Sequence, residues 1–135
     1  MKKEINVVGA IIIRNGKVLC AQRGKSKTLA YLWEFPGGKI EEGETPRQAL
    51  KRELVEELNI EVSVEESQFE QTAYEYDFGI VNLTTFVCQL KTGEPKLTEH
   101  IAIKWLDPSA LSSLEWAPAD IPAVEKLNEV KFNLV

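Results

Sequence analysis

The chain has 135 residues, 44% hydrophobic and 27% charged, a length and balance that suit one compact domain and exclude a disordered or fibrous protein. Its 16 basic and 21 acidic residues leave a net charge of -5, with no basic stripe along any predicted element, which argues against a grip on polynucleotide backbone. No run reaches the roughly 18 apolar residues that a bilayer span needs, and Glu4 and Asn6 interrupt the segment nearest in character to a signal peptide; we expect a cytoplasmic protein folded as a single domain over residues 1–135.

Residues Ile5 to Ile13 and Lys17 to Gln22 flank Asn15-Gly16, and a two-residue Asn-Gly between apolar runs predicts a β-hairpin. A basic polar loop, Arg23 to Thr28, leads through YLWEF to Pro36-Gly37-Gly38, which must turn sharply because Pro fixes φ and Gly frees it. The loop continues through Glu44. Thr45-Pro46-Arg47-Gln48 starts a helix: Thr45 caps, Pro46 suits the first helical position and Gln48 completes a capping box. That helix is expected over Pro46 to Leu58, with Leu50, Leu54 and Leu58 inward and Asn59 as its left-handed terminator. Short strands are expected at Ile60 to Val64, Phe69 to Tyr76, Ile80 to Leu90 and Ile101 to Leu106, with Asp77-Phe78-Gly79 turning between two of them. A second helix is predicted over Ile121 to Phe132, with Ala123, Val124, Leu127 and Val130 inward. Strands and helices do not alternate strictly, so the fold class is α+β rather than doubly wound. Cys20 and Cys88 sit among apolar neighbours in predicted strands and are expected as buried free thiols.

Glu53, Glu56 and Glu57 lie three, four and one residues apart, which puts them on one helical face. Like charges so placed repel by a few tenths of a kcal/mol per pair. Leu50 and Leu54 fall within about 60° of Glu57 at roughly 100° per residue, so part of the cluster borders the core. One use of such a run is a solvated acidic face relieved by Lys51 and Arg52. The other is a set of hard oxygens that collects Mg2+, which keeps several waters and bridges to substrate phosphates.

From Gly38 the chain reads GKIEEGETPRQALKRELVEELNI: Gly38, five residues, Glu44, seven residues, then Arg52-Glu53-Leu54-Val55-Glu56-Glu57-Leu58-Asn59-Ile60. This resembles the Nudix box, the signature of the Nudix hydrolases, at every position except Asn59, where the family pattern has Gly. Asn fills a left-handed helix terminus at modest cost. Six matched Gly, Glu and Arg positions coincide by composition with a probability on the order of one in ten million, which decides against chance. MKKEINVVGAIII, WEFPGGKIEEGETP and WAPADIPAVEKL are similar to the MutT branch of that family.

The resemblance implies a mixed β-sheet sandwiched between α-helices. It implies that Glu53, Glu56 and Glu57 are metal ligands, joined by the Gly37 carbonyl and by Glu99 from a loop outside the helix. Arg52 then orients the glutamates, Glu44 stabilises the loop, and Glu53 or a path through metal-activated water supplies the base. Mg2+ is the expected cofactor, with Mn2+ as a substitute. Arg23 is placed to contact the nucleotide, with Glu34, Phe35, Pro36, Gly37 and Gly38 along its approach. For Arg23 and Glu99 the alternative is a solvated surface charge. His100, the only histidine, is expected as a solvated loop residue. Trp33, Trp105 and Trp116 are expected mainly in core packing, with Trp116 the candidate for stacking on a base.

Asp120 stands where the 8-oxoguanine-directed MutT proteins are expected to carry a base-reading Asn. Ionised Asp only accepts hydrogen bonds, which suits the exocyclic amine of cytosine or adenine, and protonated Asp adds a donor for a ring nitrogen. Preceding Ile121-Pro122, Asp120 is equally suited to cap a helix. The expected activity is hydrolysis of a nucleoside triphosphate to its monophosphate and pyrophosphate, on substrates such as 5-methyl-dCTP, CTP or 8-oxo-dGTP. The alternatives are another diphosphate, such as ADP-ribose or a dinucleoside polyphosphate, and a nucleotide-binding module without catalysis, which would be expected to have lost glutamates from the box. No polynucleotide or membrane partner is expected, and the strand edges permit a homodimer as well as a monomer.

Overall fold

The computed structural model describes residues 2–129. The chain runs β1 (Glu4–Arg14), β2 (Lys17–Gln22), β3 (Trp33–Glu34), β4 (Gly37–Lys39), α1 (Pro46–Leu58), β5 (Glu61–Val64), β6 (Glu70–Tyr76), β7 (Gly79–Thr92), β8 (Ala102–Leu106), 3-10 turns at Pro108–Ser113 and Pro118–Asp120, and α2 (Ile121–Glu129). Val130 and Phe132, assigned to the second helix from sequence, lie outside the described residues.

One mixed sheet organises the fold. β1 runs parallel to β7 from Glu4 beside Ile80 to Ile13 beside Gln89, while the other pairings between these strands are antiparallel. On its other edge β1 changes partner along its length. Ile13 faces Val18 of β2, Val8 faces Gly38 of β4, and between them the Ala10 N–H donates to the Pro36 carbonyl at 2.7 Å. The β1–β2 turn has Asn15 at φ 52 and Gly16 at φ 76, the positive pair that a tight hairpin needs.

The apolar run of β1 is nearly continuous because both sheet faces are covered. Val8, Ala10 and Ile12 point to a core closed by Leu50, Leu54 and Leu58 of α1. Ile11 points the other way, to Leu111, Trp116, Val124 and Leu127. The sheet is therefore sandwiched between α1 and α2, as the strand period of two dictates once β1 is central. Cys88 belongs to the first core and Cys20 to the second; both are free, and burial pushes each thiol up to about 12.

Both ends of α1 form as the sequence predicts. Thr45 accepts from Gln48 N–H, and the Gln48 side chain accepts from Thr45 N–H. Asn59 closes the helix at φ 56 and ψ 43. The two- and three-residue strands β3 and β4 were not foreseen, since their pairing comes from β2 and β1 rather than from any run of their own.

Candidate functional site

The α1 face that carries the glutamates grades from solvent to core. The Glu56 side chain is 57% exposed and that of Glu53 16%, while Glu57, one turn beyond Glu53 and beside buried Leu54 and Leu58, has a buried oxygen, Oε1, with no hydrogen-bond partner. Burial, followed by the facing carboxylates of Glu53, Glu34 and Glu99, pushes the Glu57 carboxyl up to about 9. Burial likewise raises that of Glu53, against the opposing pull of Arg52.

Arg52 is the hub of the acidic loop. Its Nε and Nη2 donate to Glu44 at 2.6 and 2.9 Å, Nη2 also donates to the Lys39 carbonyl at 3.1 Å, and Nη1 lies 3.4 Å from Glu53 and 3.3 Å from Glu56. The bidentate pair lowers the Glu44 carboxyl below its usual range. Glu44 also accepts from Glu41 N–H at 2.9 Å, which ties the loop to the helix.

Glu99 reaches this face because its loop closes over the C-terminal end of α1. Lys96 N–H donates to the Leu58 carbonyl at 3.0 Å and Thr98 Oγ1 donates to the Glu57 carbonyl at 2.5 Å, satisfying carbonyls that a helix end leaves open. A small polar recess of about 70 Å³ is lined there by Arg23, Lys27, Glu34, Glu57, Glu99 and His100. His100 corrects its expectation: its side chain is 4% exposed, with Nε2 2.9 Å from Glu34 Oε2 and Nδ1 buried without a partner. The chain pairing across this loop puts it under cover, which its polar neighbours in sequence do not reveal.

Beside the recess opens a cavity of about 380 Å³, within the usual size of small-molecule sites. Its wall includes Arg23, Glu34, Phe35, Gly37, Gly38 and Asp120. Pro36 stands aside: it is buried, and its carbonyl is engaged by Ala10. Arg23 donates to Glu34 at 2.8 Å and to the Thr28 carbonyl and hydroxyl at 2.6 and 3.0 Å, so it is an anchored group rather than a solvated one. These bonds brace a loop in which Leu29 and Tyr31 sit at φ 55 and 68, a conformation that costs L-residues roughly 1–2 kcal/mol each.

Asp120 is buried, and its Oδ2 accepts the Phe35 N–H at 3.0 Å, so the carboxyl is turned across to the link between β3 and β4 rather than spent on capping α2. Burial and the nearby Glu34 hold it well above the usual carboxylate range. Trp116 is a core residue: its Nε1 donates to the Leu111 carbonyl at 2.7 Å and its ring lies 4.8 Å from that of Phe35. Sequence reasoning did not single out Tyr76, which lines the cavity and accepts the Ala119 N–H at 2.8 Å; its place in the Tyr74/Tyr76 alternation marks a strand face but not this contact 43 residues away.

Among the described residues, no three His, Cys, Asp or Glu side chains are grouped so as to hold a metal ion by themselves. The residues nevertheless fit a hard divalent cation. A partnerless carboxylate oxygen faces three further carboxyl groups, and Mg2+ takes only one or two protein carboxylates, completing its shell with waters and phosphates.

Comparison with known proteins agrees with this architecture. The NUDIX domain model matches residues 3–127. The CTP pyrophosphohydrolase of Escherichia coli K12 is 44% identical, covering 91% of this chain and 90% of the relative. The 8-oxo-dGTP diphosphatase of Haemophilus influenzae is 36% identical over the full length of both. The solution structure of a MutT protein of the Nudix hydrolase family from methicillin-resistant Staphylococcus aureus superimposes with a TM-score of 0.78 at 53% identity, covering 96% of this chain and all of that one. A fold with α1 laid across a mixed sheet, an intact acidic box on that helix and matches of this extent make the chain a member of the NUDIX family, a hydrolase of its MutT-like branch.

Proposed function

We propose that the protein is a Mg2+-dependent nucleoside triphosphate pyrophosphohydrolase, converting NTP and water to NMP and pyrophosphate, and that it clears modified or oxidised nucleotides from the cytoplasmic pool. The observation that carries this reading is the partnerless, buried oxygen of Glu57, set among Glu53, Glu34 and Glu99 beside a cavity of nucleoside size. The names of relatives that act on CTP and 8-oxo-dGTP support it.

Glu53, Glu56, Glu57, Glu99 and the Gly37 carbonyl would hold Mg2+, or Mn2+ in its place. When bound, the ion neutralises charge on phosphate oxygens and lowers the pKa of an attacking water. Arg52, fixed by Glu44, holds Glu53 and Glu56 in place. Glu53 accepts the proton of the water that attacks the diphosphate linkage. Arg23 and the Phe35–Gly38 segment position the nucleotide. Asp120, whose carboxyl burial and Glu34 hold well above the usual range, offers an acceptor and, in its protonated form, a donor beside it; that pair matches the exocyclic amine and ring nitrogen of cytosine, which favours CTP and 5-methyl-dCTP.

Pyrophosphate release is to be measured from CTP, 5-methyl-dCTP, 8-oxo-dGTP, dGTP and ADP-ribose, each with Mg2+ and with chelator. The expected result is metal-dependent release from the triphosphates. Activity undiminished by chelator, or a preference for ADP-ribose, overturns the reading. Asp120→Asn is expected to shift the ratio of kcat/KM for 5-methyl-dCTP and 8-oxo-dGTP, and an unchanged ratio removes Asp120 as the base reader.

A further inference from the structure

The Pro118–Asp120 turn carries Asp120, and three hydrogen bonds hold it. The Ala117 N–H donates to the Trp33 carbonyl at 2.8 Å, and the Phe35 N–H donates to Asp120 Oδ2 at 3.0 Å. Both anchors lie on one stretch, residues 33–35. The third comes from a different part of the sheet. The Ala119 N–H donates to the phenol oxygen of Tyr76, the last residue of β6, at 2.8 Å.

Tyr76 is held independently of that bond. Its ring stacks on Phe78 at 5.0 Å and 6° and tilts against Tyr74 at 4.7 Å and 50°. It packs with Leu83, and its own carbonyl accepts from Lys2 Nζ at 2.9 Å. The hydroxyl is thus placed by packed rings, and its hydrogen bond to the turn adds a directional contact to the apolar packing of Ala119. Burial raises the phenol's pKa, so at neutral pH it stays uncharged and keeps its hydrogen. Tyr76 and Asp120 line the same cavity, which Glu57 reaches from α1.

We propose that Tyr76 is a positioning residue for base selection: by holding the Ala119 N–H, its phenol oxygen sets where Asp120 meets the base of a nucleoside triphosphate. This rests on the reading of the cavity as a nucleotide site. Loss of the oxygen leaves the glutamates in place and lets the turn shift, so discrimination between bases suffers while turnover persists.

Tyr76→Phe keeps the ring and its stacking and removes the oxygen. Steady-state kinetics on CTP and 8-oxo-dGTP with Mg2+ are to be compared for wild type, Tyr76→Phe, Asp120→Ala and the double variant. The expected result for Tyr76→Phe is a change of about 5- to 20-fold in the ratio of the two kcat/KM values, carried by KM, with kcat on the better substrate within about twofold. In the Asp120→Ala background the same change is expected to have no further effect on the ratio. Amide exchange at Ala119 is expected to be slow in wild type and fast in Tyr76→Phe. A lowered thermal midpoint with an unchanged ratio makes the bond purely structural and overturns the proposal, as do an equal ratio change in both backgrounds and an Ala119 amide equally protected in both proteins. A wild-type protein that cleaves neither nucleotide overturns the reading of the cavity itself, a result distinct from cleavage with an unaltered ratio.

Discussion

Gly38 is the box residue for which the structure gives the sharpest prediction. It pairs with Val8 in β4, and a Cβ built on it would lie 2.6 Å from Glu53 Oε1 and closer still to Oε2. Ordinary contact begins at about 3.4 Å, so in Gly38→Ala the Glu53 carboxylate must retreat by roughly 1.1 Å, as its nearest atom, Oε2, requires. The end of a side chain yields more easily than backbone, and Ala is the better strand residue by roughly 0.5–1 kcal/mol. Stability should therefore change little, by no more than about 4 °C in thermal midpoint. Activity should not be spared. A displacement near 1 Å at a reacting group costs on the order of 10²-fold, and the loss should appear in kcat. The assay is Mg2+-dependent pyrophosphate release, read beside a thermal melt. In a Glu53→Gln background the same substitution should cost little more, because the group it displaces is already disabled. Wild-type kcat for Gly38→Ala, with the melt unchanged, would refute the idea that this glycine exists to seat Glu53.

Gly37→Ala should behave in the opposite way: its Cβ would meet the Val8 carbonyl and lie 2.8 Å from the Val8 carbonyl carbon, so backbone must move, the β1–β4 pairing should weaken by roughly 1–3 kcal/mol, and the melt should fall clearly. Asp120 gives a pH prediction. Because its folded carboxyl is held above its unfolded value of 3.8, the folded state binds a proton that the unfolded state has released, so its contribution is complete below pH 3.8 and is lost as pH rises toward the folded pKa; Asp120→Asn should flatten the fall of the thermal midpoint above about pH 4. With both thiols buried and raised to about 12, a disulfide reagent at pH 8 should titrate no cysteine in the native protein and two after denaturation; a fast native reaction contradicts the assigned burial.

The elements that could be read from sequence are those whose causes are local. The Thr45/Gln48 box, Asn59 and Asn15-Gly16 set backbone conformation within a few residues, and each forms as expected. The spacing of the glutamates predicts their common face, and the nearness of Leu50 and Leu54 to Glu57 predicts that part of the cluster borders the core, where Glu57 Oε1 is buried. What stayed hidden depends on pairing across the chain. β3 and β4 exist only against β2 and β1. His100 is covered because Glu34, 66 residues away, meets its Nε2, and Asp120 turns from capping because the Phe35 N–H lies within reach. Periodicity reports which side of an element is apolar, but not which distant donor a polar atom will find there.

The proposed metal site is tested most simply by Mn2+ titration, followed by electron paramagnetic resonance, of the nucleotide-free wild type and of the Glu53→Gln/Glu57→Gln double variant. Wild type should bind saturably, and the double variant should lose at least about 10-fold in affinity, as expected when hard-cation ligands are neutralised. Equal affinity in the two proteins would contradict the claim that this face of α1 holds the metal.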